Sequence, residues 1–262
     1  MFRTLTLEFR DALAVVTLNR PEARNAMSAK LMREMITCAE KVAARQDVGV
    51  AIVRGAGVCF SAGADLKDAS RWSDGESPLD ERREIASLGY RMARAWEEVP
   101  QITLAAIEGY AIGGGLALAA ALDWRVIAKD AFVSLPEIAI GIPLTWGTLP
   151  RLTILVGPAR AKRLSILCER IPATQAVEMG LVDYVVPRGK ALKSAQDIAA
   201  RVLELPRHSV RMTKESVNAY ASIGAHASSH MAHDQVQLAA ASREAREARE
   251  AFSLRKRARR GG

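Results

Sequence analysis

Apolar and polar positions follow two patterns along this chain, one typical of buried strands and one typical of amphipathic helices. Four short apolar runs predict buried strands, namely 13–18, 49–53, 102–107 and 124–128. Apolar residues recur at helical spacing from 29 to 45, directly after Ser28, whose hydroxyl suits the cap of a helix. A further helix is expected at about 85–99. The first part of the chain therefore combines strands with helices.

The pattern changes near residue 190, beyond which it is helical apart from interruptions at Pro206 and Gly224. This shift predicts a core of residues 1–190 followed by a helical region of residues 191–262. The helical region ends in a basic tail, with five Lys or Arg residues among the last eight.

Composition narrows the class of protein. Hydrophobic residues make up 49% of the chain and charged residues 25%, which is ordinary for a globular protein. No apolar run is long enough to span a membrane, and the N-terminal residues lack the apolar segment of a secretory signal. The three cysteines are unclustered. We therefore expect a cytoplasmic protein without a disulfide framework or a cysteine-based metal site.

The formal charge of +8 is compatible with nucleic acid, a membrane surface or a phosphorylated small molecule as the partner. Aromatic residues make up only 5% of the chain and none lies in the basic tail, which argues against nucleic acid. His226, His230 and His233 share one helix face, as zinc ligands can. No carboxylate or cysteine completes that set, so packing against another helix is favoured and no metal site is expected.

Three consecutive glycines, Gly113 to Gly115, stand between the apolar run 102–107 and a helix-forming run at 116–122. Glycine lets a ligand approach the backbone closely, and the first turn of a helix leaves its N–H groups without internal partners. Such groups suit an anion or a developing oxyanion. The alternative is a junction that only permits close packing between strand and helix. No nucleotide-binding glycine motif is present.

A second segment rich in small residues, 58–67, follows the strand predicted at 49–53. Its N–H groups are a second candidate to face a ligand, and the alternative is an ordinary turn capped by Asp65. The polar stretch 68–84 predicts a surface loop, of the kind that often closes over ligands.

Glu137 is a lone carboxylate among apolar neighbours. Such a residue is usually a helix cap or a partner in an ion pair. A carboxyl group in an apolar pocket instead has a raised pKa, which suits proton transfer near neutral pH. The sequence alone leaves both interpretations open.

Five segments in this order resemble the motifs of the enoyl-CoA hydratase/isomerase (crotonase) superfamily. They are 18–26 (LNRPEARNA), 61–66 (SAGADL), 109–115 (GYAIGGG) with Asp123 eight residues on, 136–143 (PEIAIGIP), and 245–247 (ARE) with Phe252. The resemblance extends over about residues 6–257 and is far more specific than any single motif.

The resemblance implies an α/β fold of the crotonase type, a spiral of ββα units whose C-terminal helices form a homotrimer or a pair of trimers. It implies an acyl-CoA thioester as the substrate, with no cofactor, no nucleic acid and no membrane. The thioester oxygen would accept hydrogen bonds from the backbone N–H groups of Ala64 and Gly114, and Glu137 would be the catalytic acid/base. The implied CoA-binding residues are Arg24, Ala62, Asp65, Leu66, Lys67, Phe252 and Arg255, the last two near a neighbouring subunit's site.

Two positions implied to lie in the substrate pocket depart from the family pattern. Hydratases of the family use two glutamates on water, and the position of the first is Ala117, which cannot hold or deprotonate water. A site with a single glutamate resembles that of the Δ3,Δ2-enoyl-CoA isomerases, in which one base moves a proton between carbons. Trp146 stands where small residues are common, and we expect it to narrow or redirect the acyl pocket.

We therefore expect an acyl-CoA enzyme that stabilises a thioester enolate and uses Glu137 as acid/base on an enoyl-CoA, with isomerisation fitting better than hydration. The alternative is an acyl-CoA-binding member of the family without efficient hydratase turnover.

Overall fold

The chain forms two β-sheets, which together comprise nine strands in the part of the sequence that the structure covers. The structure is a computed structural model, and it describes residues 1–68, 70, 78–225, 229 and 232–258. The strands are β1 (Leu5–Arg10), β2 (Leu13–Leu18), β3 (Val50–Gly55), β4 (Ile102–Ile107), β5 (Tyr110–Ile112), β6 (Trp124–Ala128), β7 (Phe132–Ser134), β8 (Arg170–Pro172) and β9 (Tyr184–Val186).

The main sheet has the strand order β1-β2-β3-β4-β6-β9. Strands β1 and β2 pair as an antiparallel hairpin, and from β2 onward every pair is parallel. All six residues of β4 are buried, because helices cover both faces of a parallel sheet. This burial explains why the strand is a continuous apolar run and does not alternate with polar residues. The small sheet has the order β5-β7-β8. These observations confirm the predicted α/β class and the strands expected at 13–18, 102–107 and 124–128.

The helices surround the sheets and continue to the C-terminus. They are α1 (Ala29–Ala43), α2 (Leu79–Glu97), α3 (Gly114–Ala121), α4 (Thr148–Leu167, interrupted at Gly157), α5 (Ala173–Glu178), α6 (Ala191–Leu203), α7 (Arg207–Ala221), α8 (Ala232–Ala240) and α9 (Arg243–Ala258). Ser28 caps α1 as expected, since its hydroxyl oxygen accepts a hydrogen bond of 3.2 Å from the N–H of Leu31. Two single 3-10 turns, Pro21–Ala23 and Ile138–Ile140, lie at the site described below.

Most predicted boundaries lie within two residues of the observed ones, and the start of α2 differs by more. Helix α2 begins at Leu79, whereas a polar loop was expected to reach residue 84. Asp80 and Glu81 lie in the first turn, where carboxylates interact favourably with the positive end of the helix dipole. The other residues of that expected loop, 69 and 71–77, lie outside the described residues.

The core has two parts, one on each face of the main sheet. Helices α1, α2 and α3 enclose the larger cluster, which includes Leu31, Trp96 and Leu118. Helix α6 covers the opposite face, where Ala191 and Ala195 belong to a cluster with β3, β4 and β6. The division near residue 190 into a core and an oligomerisation region stays a prediction.

The last helix turns back onto the body of the same chain. Helix α9 packs against the Ile138–Ile140 turn, and any side chain placed on Gly141 would collide with Ala245. Across the described residues, no helix is both long enough and apolar enough to cross a lipid bilayer.

Candidate active site

The loop that follows β3 contains a backbone N–H group, that of Ala64, which no protein acceptor faces in the described residues. Met27 and Ala64 form an isolated parallel bridge, in which the Met27 N–H donates to the Gly63 oxygen at 2.7 Å and the Asp65 N–H donates to the Met27 oxygen at 3.2 Å. In a parallel pair these bonds come from the residues on either side of Ala64, so its own N–H faces away from Met27. Within the described residues this N–H has no acceptor.

The first residue of α3 supplies a second N–H group. Gly113 is fixed by donating to the Ser134 oxygen at 2.8 Å, and its φ of 52° is one that residues with a side chain rarely adopt. Gly114 then begins the helix, so its N–H has no acceptor within α3. The Gly114 N–H also donates to no other described residue.

The loops that carry these two N–H groups approach each other closely next to Ala64. A Cβ atom placed on Gly63 would be 2.6 Å from the Ile112 oxygen and 3.3 Å from the Gly114 nitrogen, so only glycine permits this approach. Main-chain bonds hold the two loops together, because the Ser61 N–H donates to the Tyr110 oxygen at 3.2 Å and the Ile112 N–H donates to the Ser61 oxygen at 3.0 Å. Backbone N–H donors without protein acceptors have the chemistry that suits a developing oxyanion.

Glu137 lies against the same junction. Its Oε1 occupies the space that a side chain on Gly113 would need. Its Oε2 is inaccessible to solvent and has no hydrogen-bond partner in the described structure. Burial raises the pKa of the Glu137 carboxyl from 4.5 to about 7, because the charged form loses its hydration. A carboxyl with this pKa is able both to accept and to return a proton near neutral pH.

The backbone of Glu137 is fixed by the turn that follows it. Its carbonyl oxygen accepts hydrogen bonds of 3.1 Å from the N–H groups of Ile140 and Ile142. Gly141 ends the turn at a φ of 72° and contacts α9. The C-terminal helix therefore supports the segment that carries the carboxyl group.

A cleft of about 1160 Å³ opens beside the two donor loops and the Glu137 carboxyl. Its lining includes Gly113, Glu137 and several basic side chains. Among these, Arg24, Lys67 and Arg170 form no ion pair with a described carboxylate, so their charge is available to an anionic ligand. A cleft of this size accommodates a ligand larger than a typical small molecule.

Most of the residues that the resemblance assigned to CoA binding line this cleft. These are Arg24, Ala62, Asp65, Leu66, Lys67 and Phe252. The Asp65 carboxylate is already engaged, because it accepts hydrogen bonds from Arg20 at 2.9 Å and from the Lys67 N–H at 3.0 Å. Phe252 reaches the cleft of its own chain from α9. Arg255 is on the same helix, but its side chain lies outside the described residues.

Ala117 and Trp146 do not border the open cleft. Ala117 lies in α3, is 1% exposed and belongs to the main core. Trp146 is 7% exposed, and its ring packs directly over the Cα of Gly114. Both residues are therefore packed around α3 and away from the open cleft, and their roles toward a substrate stay predictions.

The structure also brings residues to the cleft that the sequence reasoning missed. Arg170 follows α4 on β8, and its guanidinium lies 4.9 Å from the centre of the Phe132 ring. Lys30 and Cys168 line the cleft as well. No local signal marks Arg170, because the antiparallel pairing of β7 with β8 alone brings it to the site.

Metal binding finds no support in the part of the chain that the structure describes. No group of three or more His, Cys, Asp or Glu residues there could hold an ion. The alternative zinc site rests on His226, His230 and His233, whose side chains lie outside the described residues.

Comparison with known proteins identifies the group to which this arrangement belongs. The profile of the enoyl-CoA hydratase/isomerase family matches residues 8–259. A crotonyl-CoA hydratase from Syntrophomonas wolfei is 34% identical over 83% of this chain and 82% of its own length. A short-chain-enoyl-CoA hydratase from Clostridium acetobutylicum is 32% identical over 81% of this chain and 80% of its own length.

Solved structures agree with the sequence comparison. An enoyl-CoA hydratase from Mycobacterium avium subsp. paratuberculosis superposes with a TM-score of 0.86 at 27% identity, covering 97% of each chain. An enoyl-CoA hydratase/isomerase from Xanthobacter autotrophicus superposes with a TM-score of 0.86 at 29% identity, covering 96% of this chain and 92% of the other. The chain thus has the crotonase fold that its motifs predicted, and it belongs to the enoyl-CoA hydratase/isomerase family of enzymes.

Proposed function

We propose that this enzyme moves a double bond in an enoyl-CoA thioester between the 3,4 and 2,3 positions, with Glu137 as the acid/base. The observation that carries the proposal is the Glu137 carboxyl, whose Oε2 has no partner among the described residues and whose pKa is about 7, near two N–H groups that have no acceptor there. Isomerisation needs one base, because the proton that leaves one carbon returns to another.

The proposed reaction has two proton transfers. The Glu137 carboxylate removes a proton from C2 of a 3-enoyl-CoA, and the electron pair of that C–H bond spreads through the double bond and the thioester. The resulting dienolate oxygen accepts hydrogen bonds from Ala64 and Gly114, and each donor of this kind is worth about 3 kcal/mol. The protonated Glu137 then returns the proton to C4, which leaves a 2-enoyl-CoA and regenerates the carboxylate.

Hydration would require a second group to orient or deprotonate water, and the described cleft offers none in a suitable state. Ala117 is buried and has no proton acceptor. The Asp65 carboxylate is paired with Arg20, and the Asp68 carboxylate accepts a bond of 2.7 Å from the Ala29 N–H. Glu22 is exposed. These observations favour isomerisation over hydration.

The substrate proposal rests on the cleft and on the relatives. Arg24, Lys67 and Arg170 supply positive charge for the phosphates of CoA, in a cleft large enough for an extended ligand. Two relatives are named for crotonyl-CoA and short-chain enoyl-CoA, and a third, from Mycosarcoma maydis, is named an enoyl-CoA isomerase/hydratase. An enoyl-CoA with a short acyl group is therefore the proposed substrate, without a further cofactor.

Self-association through the C-terminal helices is also proposed, as a homotrimer or a pair of trimers. Helix α7 and the residue pair that follows it expose large apolar side chains, among them Met212, Val217, Tyr220 and Ile223. Such a row of exposed apolar residues is typical of a surface that another protein chain covers.

The test compares two reactions on the purified protein. Conversion of 3-butenoyl-CoA to crotonyl-CoA and hydration of crotonyl-CoA are each measured for the wild type, Glu137→Gln and the control Glu22→Gln. We expect isomerisation in the wild type and the control, its loss in Glu137→Gln, and slow or absent hydration in all three. Fast wild-type hydration without isomerisation would overturn the proposal, and tight acyl-CoA binding without either reaction would support the non-catalytic alternative.

A further inference from the structure

Trp146 has an unusual backbone for a bulky residue. Its φ of 62° lies in the left-handed region, which large side chains rarely adopt. The buried Arg151 holds this conformation, because its Nη1 donates to the carbonyl oxygens of Trp146 and Gly147, both at 3.0 Å. Arg151 is in turn fixed by a two-pronged pair with Glu97, at 2.8 and 2.7 Å. The position of the indole is therefore set by a rigid network.

The indole fills the space between α2 and α3. A side chain on Gly89, in the middle of α2, would collide with its Cε2, Cδ2 and Nε1 atoms. A side chain on Gly114, at the start of α3, would collide with its Cζ3 and Cη2 atoms. The ring thus contacts the bare backbone of both helices, and the two glycines make room for it.

This placement matters because Gly114 is also the proposed oxyanion donor. A thioester oxygen that accepts a bond from the Gly114 N–H brings the first acyl carbons next to Glu137 and the Cα of Gly114. The far side of that Cα is occupied by the indole, and Ala117, one turn further along α3, is already buried in the core. An acyl chain that extends past the reacting carbons in this direction meets a closed wall.

We propose that Trp146 is a specificity-determining residue that ends the acyl pocket at the oxyanion donor and restricts the enzyme to short acyl groups. On this proposal a butyryl-sized group is accommodated in front of the indole and an octanoyl-sized group is excluded. The inference rests on the proposed function, since it uses the thioester position at Ala64 and Gly114.

Binding of saturated acyl-CoAs tests the pocket without requiring turnover. Calorimetric titration of butyryl-CoA and octanoyl-CoA gives the ratio of their Kd values for the wild type, Trp146→Gly and Trp146→Phe. Glycine tolerates the left-handed backbone and opens the full space, whereas phenylalanine removes part of the ring and keeps the wall. Trp124→Phe, on β6 against the other face of the sheet, is the matched control.

We expect wild type to bind butyryl-CoA at least about tenfold more tightly than octanoyl-CoA, and Trp146→Gly to lower that ratio by about tenfold or more. Trp146→Phe should give an intermediate ratio, which keeps the test decisive if the glycine variant fails to fold, and Trp124→Phe should match the wild type. A wild type that binds both ligands equally, or an unchanged ratio in folded Trp146 variants, overturns the pocket inference alone. Failure of wild type to bind either acyl-CoA overturns the proposed function and the inference with it.

Discussion

Replacing the Glu137 carboxyl by an amide should stabilise the fold while it abolishes turnover. Glu137→Gln keeps the shape of the side chain but can neither accept nor return a proton, so we expect kcat to fall by about 10²–10⁴-fold. The same change removes a charge that the folded protein buries without a hydrogen-bond partner at Oε2. The variant should therefore become more stable than the wild type at any pH where the carboxyl is ionised.

The size of this stabilisation follows from the two pKa values. The unfolded chain has the ordinary Glu pKa of 4.5, and the folded protein raises it to about 7. Below 4.5 the carboxyl is neutral in both states, and wild type and variant should unfold alike. As the pH rises past 7 the folded wild type carries the full cost of the ionised group. The difference of about 2.5 between the pKa values corresponds to about 3–4 kcal/mol, at about 1.4 kcal/mol for each pKa unit.

Urea unfolding at a series of pH values between 4.5 and 8.5 measures this effect. The quantity of interest is the free energy of unfolding of Glu137→Gln minus that of the wild type at the same pH, because other titrating groups then cancel. Glu22→Gln is the matched control, since it removes an exposed carboxylate of the same cleft. Its stability relative to the wild type should stay nearly constant across the series.

Two results would refute the reasoning. A difference between Glu137→Gln and wild type that does not grow with pH would mean that the carboxyl is solvated in the folded protein. Near-normal turnover by the purified variant would mean that Glu137 has a structural role and that another group moves the proton.

Three further predictions concern the pocket, the core and the C-terminal helices. Ala117→Glu should gain hydration of crotonyl-CoA, because it supplies a second carboxyl group. It should also lose at least about 2 kcal/mol of stability, because that carboxyl replaces a buried methyl group. Unchanged hydration in the folded variant would count against the reasoning that hydration needs two carboxylates. Lys214→Met should cost about 3 kcal/mol in urea unfolding, since it removes the buried cation 2.6 Å from the Asp123 carboxylate and leaves that charge only its hydrogen bonds from Thr103 in the described structure. The exposed Lys193→Met should change stability by less than about 0.5 kcal/mol. Deletion from Gly224 onward should expose apolar helix faces and cause aggregation in light scattering, and a soluble, active monomer would contradict the proposed trimer.

Much of the fold could be predicted because the buried strands are continuous apolar runs. Strand β4 is buried at every position, so its sequence is apolar throughout. Its ends are visible because Pro100 and Gln101 precede the run and Glu108 and Gly109 follow it. The start of α2 was missed for the opposite reason. Its first turn carries Asp80 and Glu81 on an exposed surface, and the apolar periodicity begins only at Ile85.

The sequence indicated which segments belong to the candidate site, but not which of their atoms lie close together. The glycine junction and Glu137 could be named as candidates from local sequence, since each has an unusual composition, and their proposed roles came from the family resemblance. That Gly63 approaches the Gly114 nitrogen follows from pairing between residues far apart in sequence, such as the bridge of Ser61 with Ala111. The burial that raises the pKa of Glu137 likewise depends on tertiary packing, which no local pattern specifies.

The two N–H groups at the centre of the site belong to the main chain, which almost every amino acid supplies. Exchange of the Ala64 side chain leaves its N–H donor in place, so the proposed contact with the thioester oxygen does not depend on which side chain stands at this position. The demand falls instead on Gly63 and Gly113, where any side chain would occupy space that the Ile112 oxygen and the Glu137 carboxylate already fill. At these two positions the absence of a side chain, rather than the chemistry of one, is what the geometry of the site requires.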